Sequence, residues 1–77
     1  MRDIGDAASV REPRVTPRQR QVLAWIAAGK SDWEIGQILN ISPKTVNFHV
    51  EKAKRKFGVP TRIQAVVAAM RQGVLPQ

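Results

Sequence analysis

Residues 31–50 of this 77-residue chain can fold in few ways, because two helix-start signals and one helix-stop signal lie inside the segment. Ser31 stands where it can cap a helix, and Glu34, three residues on, can reach back to the Ser31 N–H, the reciprocal pattern of a capping box. Ile35, Ile38 and Leu39 recur at helical spacing and predict one buried face over 32–39. Gly36 interrupts that helix. A glycine costs about 1 kcal/mol relative to Ala in a helix, so its use predicts a close approach by the next element. Asn40 can take the left-handed conformation that ends a helix. Ile41 then plugs the corner, Ser42 caps the next helix, and Pro43 fills its first position, where a missing N–H costs nothing. The outcome is two helices joined by a short turn, a helix-turn-helix, and the second helix runs into a basic cluster.

The remaining segments supply the rest of a small core. Thr16, Pro17 and Gln19 repeat the capping pattern and open a helix that carries Val22, Leu23, Ile26 and Ala27 on one face and stops at Gly29. The helix-turn-helix follows as 32–39 and 43–57, the latter stopped by Gly58. Thr61 with Gln64 opens a fourth helix that runs to about Arg71, with Gly73 and Pro76 beyond it. No strand pattern competes, so the predicted fold is all-α, a four-helix bundle containing a helix-turn-helix. Residues 1–15 have no apolar period and are expected to form an arm or linker remnant, leaving 16–77 as the folded domain. A core this small is marginal, and dimerisation would help it.

Charge narrows the partners. Thirteen basic against six acidic residues give a net charge of +7, which favours a polyanion. There is no cysteine, which excludes disulfides, thiolate metal sites and cysteine nucleophiles. With one histidine, no tyrosine, no paired acids and no metal-ligand spacing, an enzyme is not expected, and no cofactor or small-molecule ligand is implied. Residues 1–14 are polar and resemble no signal peptide. No apolar run approaches the roughly 20 residues needed to span a bilayer, so the expected setting is cytoplasmic.

The third helix divides into faces. Val46, Val50, Ala53 and Phe57 form the stripe expected to pack inward, and Asn47, Phe48 and Glu51 lie opposite. A helix about 10–12 Å across fits a major groove about 12 Å wide. There Asn47 can offer adenine a donor and an acceptor, Phe48 can touch a thymine methyl group, and Glu51 can accept from the cytosine amino group. Glu51 has an equal alternative in an intrahelical pair with Arg55, worth about 0.2–0.5 kcal/mol. Lys44, Thr45, His49, Lys52, Arg55 and Lys56 flank the strip as candidate phosphate contacts, whereas Lys54 is expected to be a solvated charge. His49 could equally make an ordinary structural hydrogen bond. Lys30 and Ser31, at the start of the second helix, can meet the backbone of the neighbouring strand. Trp25 and Trp33 are expected to shield the joint between the first two helices.

The fourth helix carries apolar groups around most of its circumference, from Ile63 through Ala65, Val66, Val67, Ala68 and Ala69 to Met70. A surface helix of a monomer needs one apolar stripe. The excess predicts a homodimer about a twofold axis, with Ile63, Val66, Val67 and Met70 at the interface. The alternative is that the alanines are merely good helix formers.

Beyond these local signals, the segments Thr16-Pro-Arg-Gln-Arg-Gln-Val-Leu23, Ala28-Gly-Lys-Ser31, Glu34-Ile35, Ile41-Ser-Pro-Lys-Thr-Val46, Lys56-Phe-Gly-Val59 and Gln64-Ala65 together resemble the LuxR/FixJ-type DNA-binding domain of bacterial transcription regulators. The resemblance covers about residues 15–75. Trp33 and the run Thr45-Val-Asn-Phe-His-Val50 are most similar to its quorum-sensing branch. It implies a domain that reads the major groove of double-stranded DNA with its third helix and dimerises through its fourth. By position, Asn47, Phe48 and Glu51 match the base-reading sites, and Lys44, Thr45, His49 and Arg55 match places that face the backbone. Full-length members carry an acyl-homoserine-lactone-binding or a phosphorylatable receiver domain, for which the polar arm has no room. The expectation is a stand-alone domain or an excised effector domain. It would be a sequence-specific regulator of a dyad site, with RNA polymerase as a further candidate partner. The rival is an interaction module that pairs through its fourth helix with a larger regulator and inhibits it.

Overall fold

The computed structural model describes residues 14–76, so the proposed arm, apart from Arg14 and Val15, lies outside the described residues. Four helices follow in order: α1 Pro17–Ala27, α2 Asp32–Leu39, α3 Pro43–Phe57 and α4 Arg62–Arg71. No strand occurs among the described residues. The helix boundaries are those the caps dictate. Thr16 and Gln19 exchange hydrogen bonds of 3.1 Å each, side chain to backbone in both directions. Ser31 and Glu34 do the same at 2.8 and 3.1 Å. The Ser31 backbone N–H, foremost, and then its side chain hold the exposed Glu34 carboxyl below its ordinary pKa. Ser42 caps α3 and Thr61 caps α4 through the backbone N–H groups of Thr45 and Gln64.

The corner between α2 and α3 is as tight as its sequence requires. Asn40 adopts φ 59°, ψ 47°, the left-handed conformation, and the Ile41 N–H returns to the Gly36 carbonyl at 3.0 Å. A Cβ placed on Gly36 would lie 2.5 Å from the Ile41 carbonyl oxygen, so no side chain fits there without displacing backbone. Gly36 therefore admits the turn itself, rather than the body of α3.

Two apolar clusters hold the helices. Val22, Ile35, Val46 and Val50 form one, with Trp25, Leu39 and Ile41 packed against it. Leu23, Ala53, Ala65, Val66, Ala69 and Leu75 form the other, joined by Val15, Phe57, Val59, Met70 and Val74. The predicted stripe of α3 thus spans both clusters: Val46, Val50 and Ala53 are fully buried and Phe57 half-buried. Val15 belongs to the packed domain rather than to an arm, and Lys56 Nζ donates to the Arg14 carbonyl oxygen.

Three expectations need correction. Trp33 is 62% exposed and shields nothing; only Trp25 covers the joint between α1 and α2. Ile38 is 45% exposed, because an eight-residue helix packed through Ile35 and Gly36 turns Ile38 away from the core. On α4, Val66 is buried in its own protomer and has no surface to offer a second copy, while Met70 is half-buried against the same cluster. Ile63 and Val67 are the large apolar groups that α4 leaves exposed.

Candidate nucleic-acid interface

Burial of Val46, Val50 and Ala53 fixes how α3 is rotated and turns Asn47 and Phe48 outward. Phe48 is 56% exposed. Lys52 Nζ lies 5.4 Å from the ring centroid, within cation–π range, and the His49 ring meets its edge at 5.7 Å and 70°. A cation is thereby held beside an apolar surface, a pairing suited to a base edge with a phosphate next to it.

The half-buried Glu51 sits one turn beyond Asn47 and forms an ion pair of 2.8 Å with Lys54. This corrects two readings: the intrahelical partner is Lys54 rather than Arg55, and Lys54 is paired rather than simply solvated. An i,i+3 pair exposed to this degree is worth only about 0.2–0.5 kcal/mol, so Glu51 can exchange it for a base donor at small cost.

The flanking groups fall in three places. Lys44 is exposed at the start of α3 beside the Ser42 cap, and Arg55 is exposed near its other end. Thr45 accepts a hydrogen bond from the Ser42 hydroxyl at 2.9 Å, which leaves its own O–H free to donate to a phosphate oxygen. Lys30 and Ser31 are exposed at the start of α2. Half-buried His49 has its pKa lowered, first by burial and then by the charge of Arg18 on α1, both of which favour the neutral imidazole.

Two residues that the sequence reading passed over tie these places together. Arg62, the first residue of α4, forks onto Asp32, the first residue of α2, with Nη1 to Oδ1 and Nη2 to Oδ2, the latter at 3.2 Å. The same Nη2 donates to Asn47 Oδ1 at 3.3 Å. The Asp32 hydrogen bonds, then the charges of Asp32 and Glu51, outweigh partial burial and raise the Arg62 pKa, so the guanidinium stays charged. Separations of 30 and 15 residues along the chain leave no periodic trace of this network. The one available signal is that Asp32 and Arg62 each follow a helix cap.

A capped, tightly cornered helix pair that presents a polar and aromatic strip between cations defines a helix-turn-helix DNA-binding domain. Comparison with known proteins takes the assignment further. Residues 14–69 match the family described as bacterial regulatory proteins, luxR family, and the chain belongs to it. This is a family of DNA-binding transcription regulators, which are not enzymes, in keeping with the resemblance read from the motifs. Over 62 residues the chain is 45% identical to the transcriptional activator protein BjaR1 of Bradyrhizobium diazoefficiens, covering 80% of this chain and 26% of that protein. It is 48% identical to the transcriptional activator protein SolR of Ralstonia solanacearum over 61 residues, 79% of this chain and 26% of SolR. Over 75 residues it is 39% identical to RpaR of Rhodopseudomonas palustris, a quorum sensing-dependent transcriptional regulator, covering 97% of this chain and 31% of RpaR. The chain thus spans between about a quarter and a third of the length of these relatives. Among the described residues no helix is long and apolar enough to cross a membrane.

Proposed function

We propose that this domain, residues 16–77 with Val15 packed beneath it, is a sequence-specific transcription regulator that binds a dyad site as a homodimer and lays α3 in the major groove. The observation that carries this reading is the division of α3. Its inward residues are fully buried, while Asn47 and Phe48 are exposed beside Lys44 and Lys52 and one turn from Glu51. Asn47, Phe48 and Glu51 read base edges. Lys30, Ser31, Lys44, Thr45, His49, Lys52 and Arg55 hold phosphates, which fixes register and supplies affinity without reading sequence.

The dimer forms through α4. Ile63 is 63% exposed and Val67 39%, and together with Val59 and Ala68 they line a groove of about 470 Å³ on its outer face. Removing such a face from water requires another apolar face, and a second copy supplies it about a twofold axis. Two recognition helices then engage half-sites about one helical turn, roughly 10 bp, apart. Such a regulator acts in the bacterial cytoplasm. Trp33 and Ile38 on α2 are exposed outside both contacts, and RNA polymerase is a further candidate partner.

The test is to incubate the protein with a randomised duplex pool at near-physiological salt, recover the bound DNA and sequence it. An enriched dyad is the expected result. Binding without enrichment would reduce the domain to a non-specific DNA-binding module. No retention even at low salt would move the weight to the rival module, which uses the same α4 face to pair with and inhibit a larger regulator.

A further inference from the structure

Arg62 stands outside every group of contacts assigned so far, yet its guanidinium is the place where the starts of α2 and α4 meet the reading strip of α3. We propose that Arg62 is a positioning residue for sequence readout: anchored on Asp32, it fixes the amide of Asn47 in one of its two flips and so sets which base pair that side chain accepts. The proposal rests on the reading of Asn47 as a base contact.

The two flips of an asparagine amide are nearly equal in shape and opposite in hydrogen-bonding sense. A guanidinium carries donors and no acceptor, so the Asn47 atom that faces Arg62 Nη2 at 3.3 Å is the oxygen. The Nδ2 donor is thereby directed away from Arg62. Among the described residues this is the sole hydrogen bond to the Asn47 side chain, which is otherwise exposed and free to flip. Arg62 is itself held: the fork on Asp32 uses both terminal nitrogens, and the two side chains are about two-thirds removed from solvent. The orientation of Asn47 is therefore set from α2 and α4, not by the helix that carries it.

A fixed flip has a consequence for recognition. An amide pairs with adenine by donating to N7 and accepting from N6, so donor and acceptor must run in one order along the base-pair edge. With Oδ1 toward Arg62 and one of its lone pairs engaged, that order is available for one orientation of the base pair and lost for the reverse. An unanchored amide would serve both orientations.

The experiment uses the full 77-residue chain. Duplex-pool selection and competition binding are run on wild type, Asn47→Ala, Arg62→Lys and Asp32→Asn, with a thermal melt on each. Arg62→Lys keeps the charge and loses the fork; Asp32→Asn keeps Arg62 and loosens its anchor, so one variant remains informative if the other folds poorly. The expected result is that Asn47→Ala flattens one position in each half-site. Arg62→Lys and Asp32→Asn lower discrimination at that same position by about tenfold, within the range of a bidentate amide–base contact, and leave the other positions unchanged. Arg62→Lys, which keeps the charge, also leaves binding to random DNA unchanged, whereas Asp32→Asn removes a carboxylate and strengthens it for all sequences alike. If Asn47→Ala flattens a position that Arg62→Lys and Asp32→Asn leave intact, Arg62 is only a staple between helices and the proposal is overturned while Asn47 remains a base reader. If Asn47→Ala leaves the selected motif unchanged, the base-contact reading fails and the proposal falls with it.

Discussion

The outward strip of α3 and the outer face of α4 each expose more than half of a large apolar side chain, Phe48 at 56% and Ile63 at 63%, yet they call for opposite partners. Phe48 has an ammonium 5.4 Å from its ring and lies beside Asn47, so its surroundings are polar, cationic and rich in hydrogen-bonding capacity. Ile63 lies along a groove with Val59, Val67 and Ala68, where nothing charged intrudes until Arg71. A polyanion with methyl-bearing base edges satisfies the first surface, and only another apolar surface satisfies the second. Exposure of a hydrophobic residue thus says little about function until its neighbours are counted.

The sharpest way to break this contrast is to put a carboxylate on the α4 face. Burying an isoleucine is worth about 2 kcal/mol, and a twofold interface counts each substitution twice. Ile63→Glu is therefore expected to cost about 4 kcal/mol, roughly a thousandfold in dimer dissociation constant. Sedimentation velocity measures it, and affinity for an isolated half-site should stay as in the wild type. An unaltered association constant would take Ile63 out of the contact.

Next in size is Gly36→Ala, which tests the scaffold beneath the α3 strip without touching α4. Helix propensity gains about 1 kcal/mol, but the added Cβ meets backbone at 2.5 Å, and such overpacking costs about 1–3 kcal/mol. A net loss of about 1 kcal/mol in urea denaturation is expected, with half-site affinity reduced as well. A stabilised variant would mean that the Ile41 carbonyl moves aside freely.

Lys44→Ala is smaller and tests the electrostatic side of the comparison. It should weaken all sequences alike and lower the slope of log K against log salt by about one unit, with dimerisation unchanged. A slope equal to the wild-type value would strike Lys44 from the phosphate contacts.

The smallest effect concerns His49, and its two signs differ. Its folded pKa is lowered below the ordinary value near 6.5. The unfolded chain therefore takes up the proton more readily, and this contribution to stability is complete above about pH 6.5 and lost as pH falls through the unfolded pKa toward the folded one. A phosphate beside His49 favours the protonated ring, so DNA binding should tighten as pH falls toward the folded pKa, by less than tenfold per pH unit. His49→Gln should flatten both profiles. If DNA affinity and stability fell together, His49 would face the protein alone.

What could be read from the sequence was whatever is decided within one helical turn. Ser31 with Glu34, Ser42, Asn40 and Gly36 each act on neighbours three to five residues away; the caps and the left-handed corner form as expected, and Gly36 makes room for the turn rather than for α3. The phase of α4 was not legible. Its apolar residues occupy nearly every direction, so periodicity could not say which side packs. The structure resolves this by size: Ala65 and Ala69 lie fully buried in one cluster with Ala53 of α3, and small side chains let the two helix backbones approach. The larger Ile63 and Val67 are left outside. The same limit explains Trp33, since eight residues of α2 offer too few turns for bulk to predict burial. The Asp32–Arg62–Asn47 network was invisible because it depends on the docking of three helices at once.

The α3 stripe enters both apolar clusters, Val46 and Val50 in one and Ala53 in the other. Under the proposed function, the helix that meets DNA is built into the same packed unit as the helix that meets a second copy. Association of two chains and occupancy of a dyad are then linked equilibria, so whatever factor the dyad adds to dimer affinity, the dimer returns to the dyad. A domain of this construction would act as a threshold device, silent while protomers are scarce and engaged once their concentration lets pairing and reading proceed together.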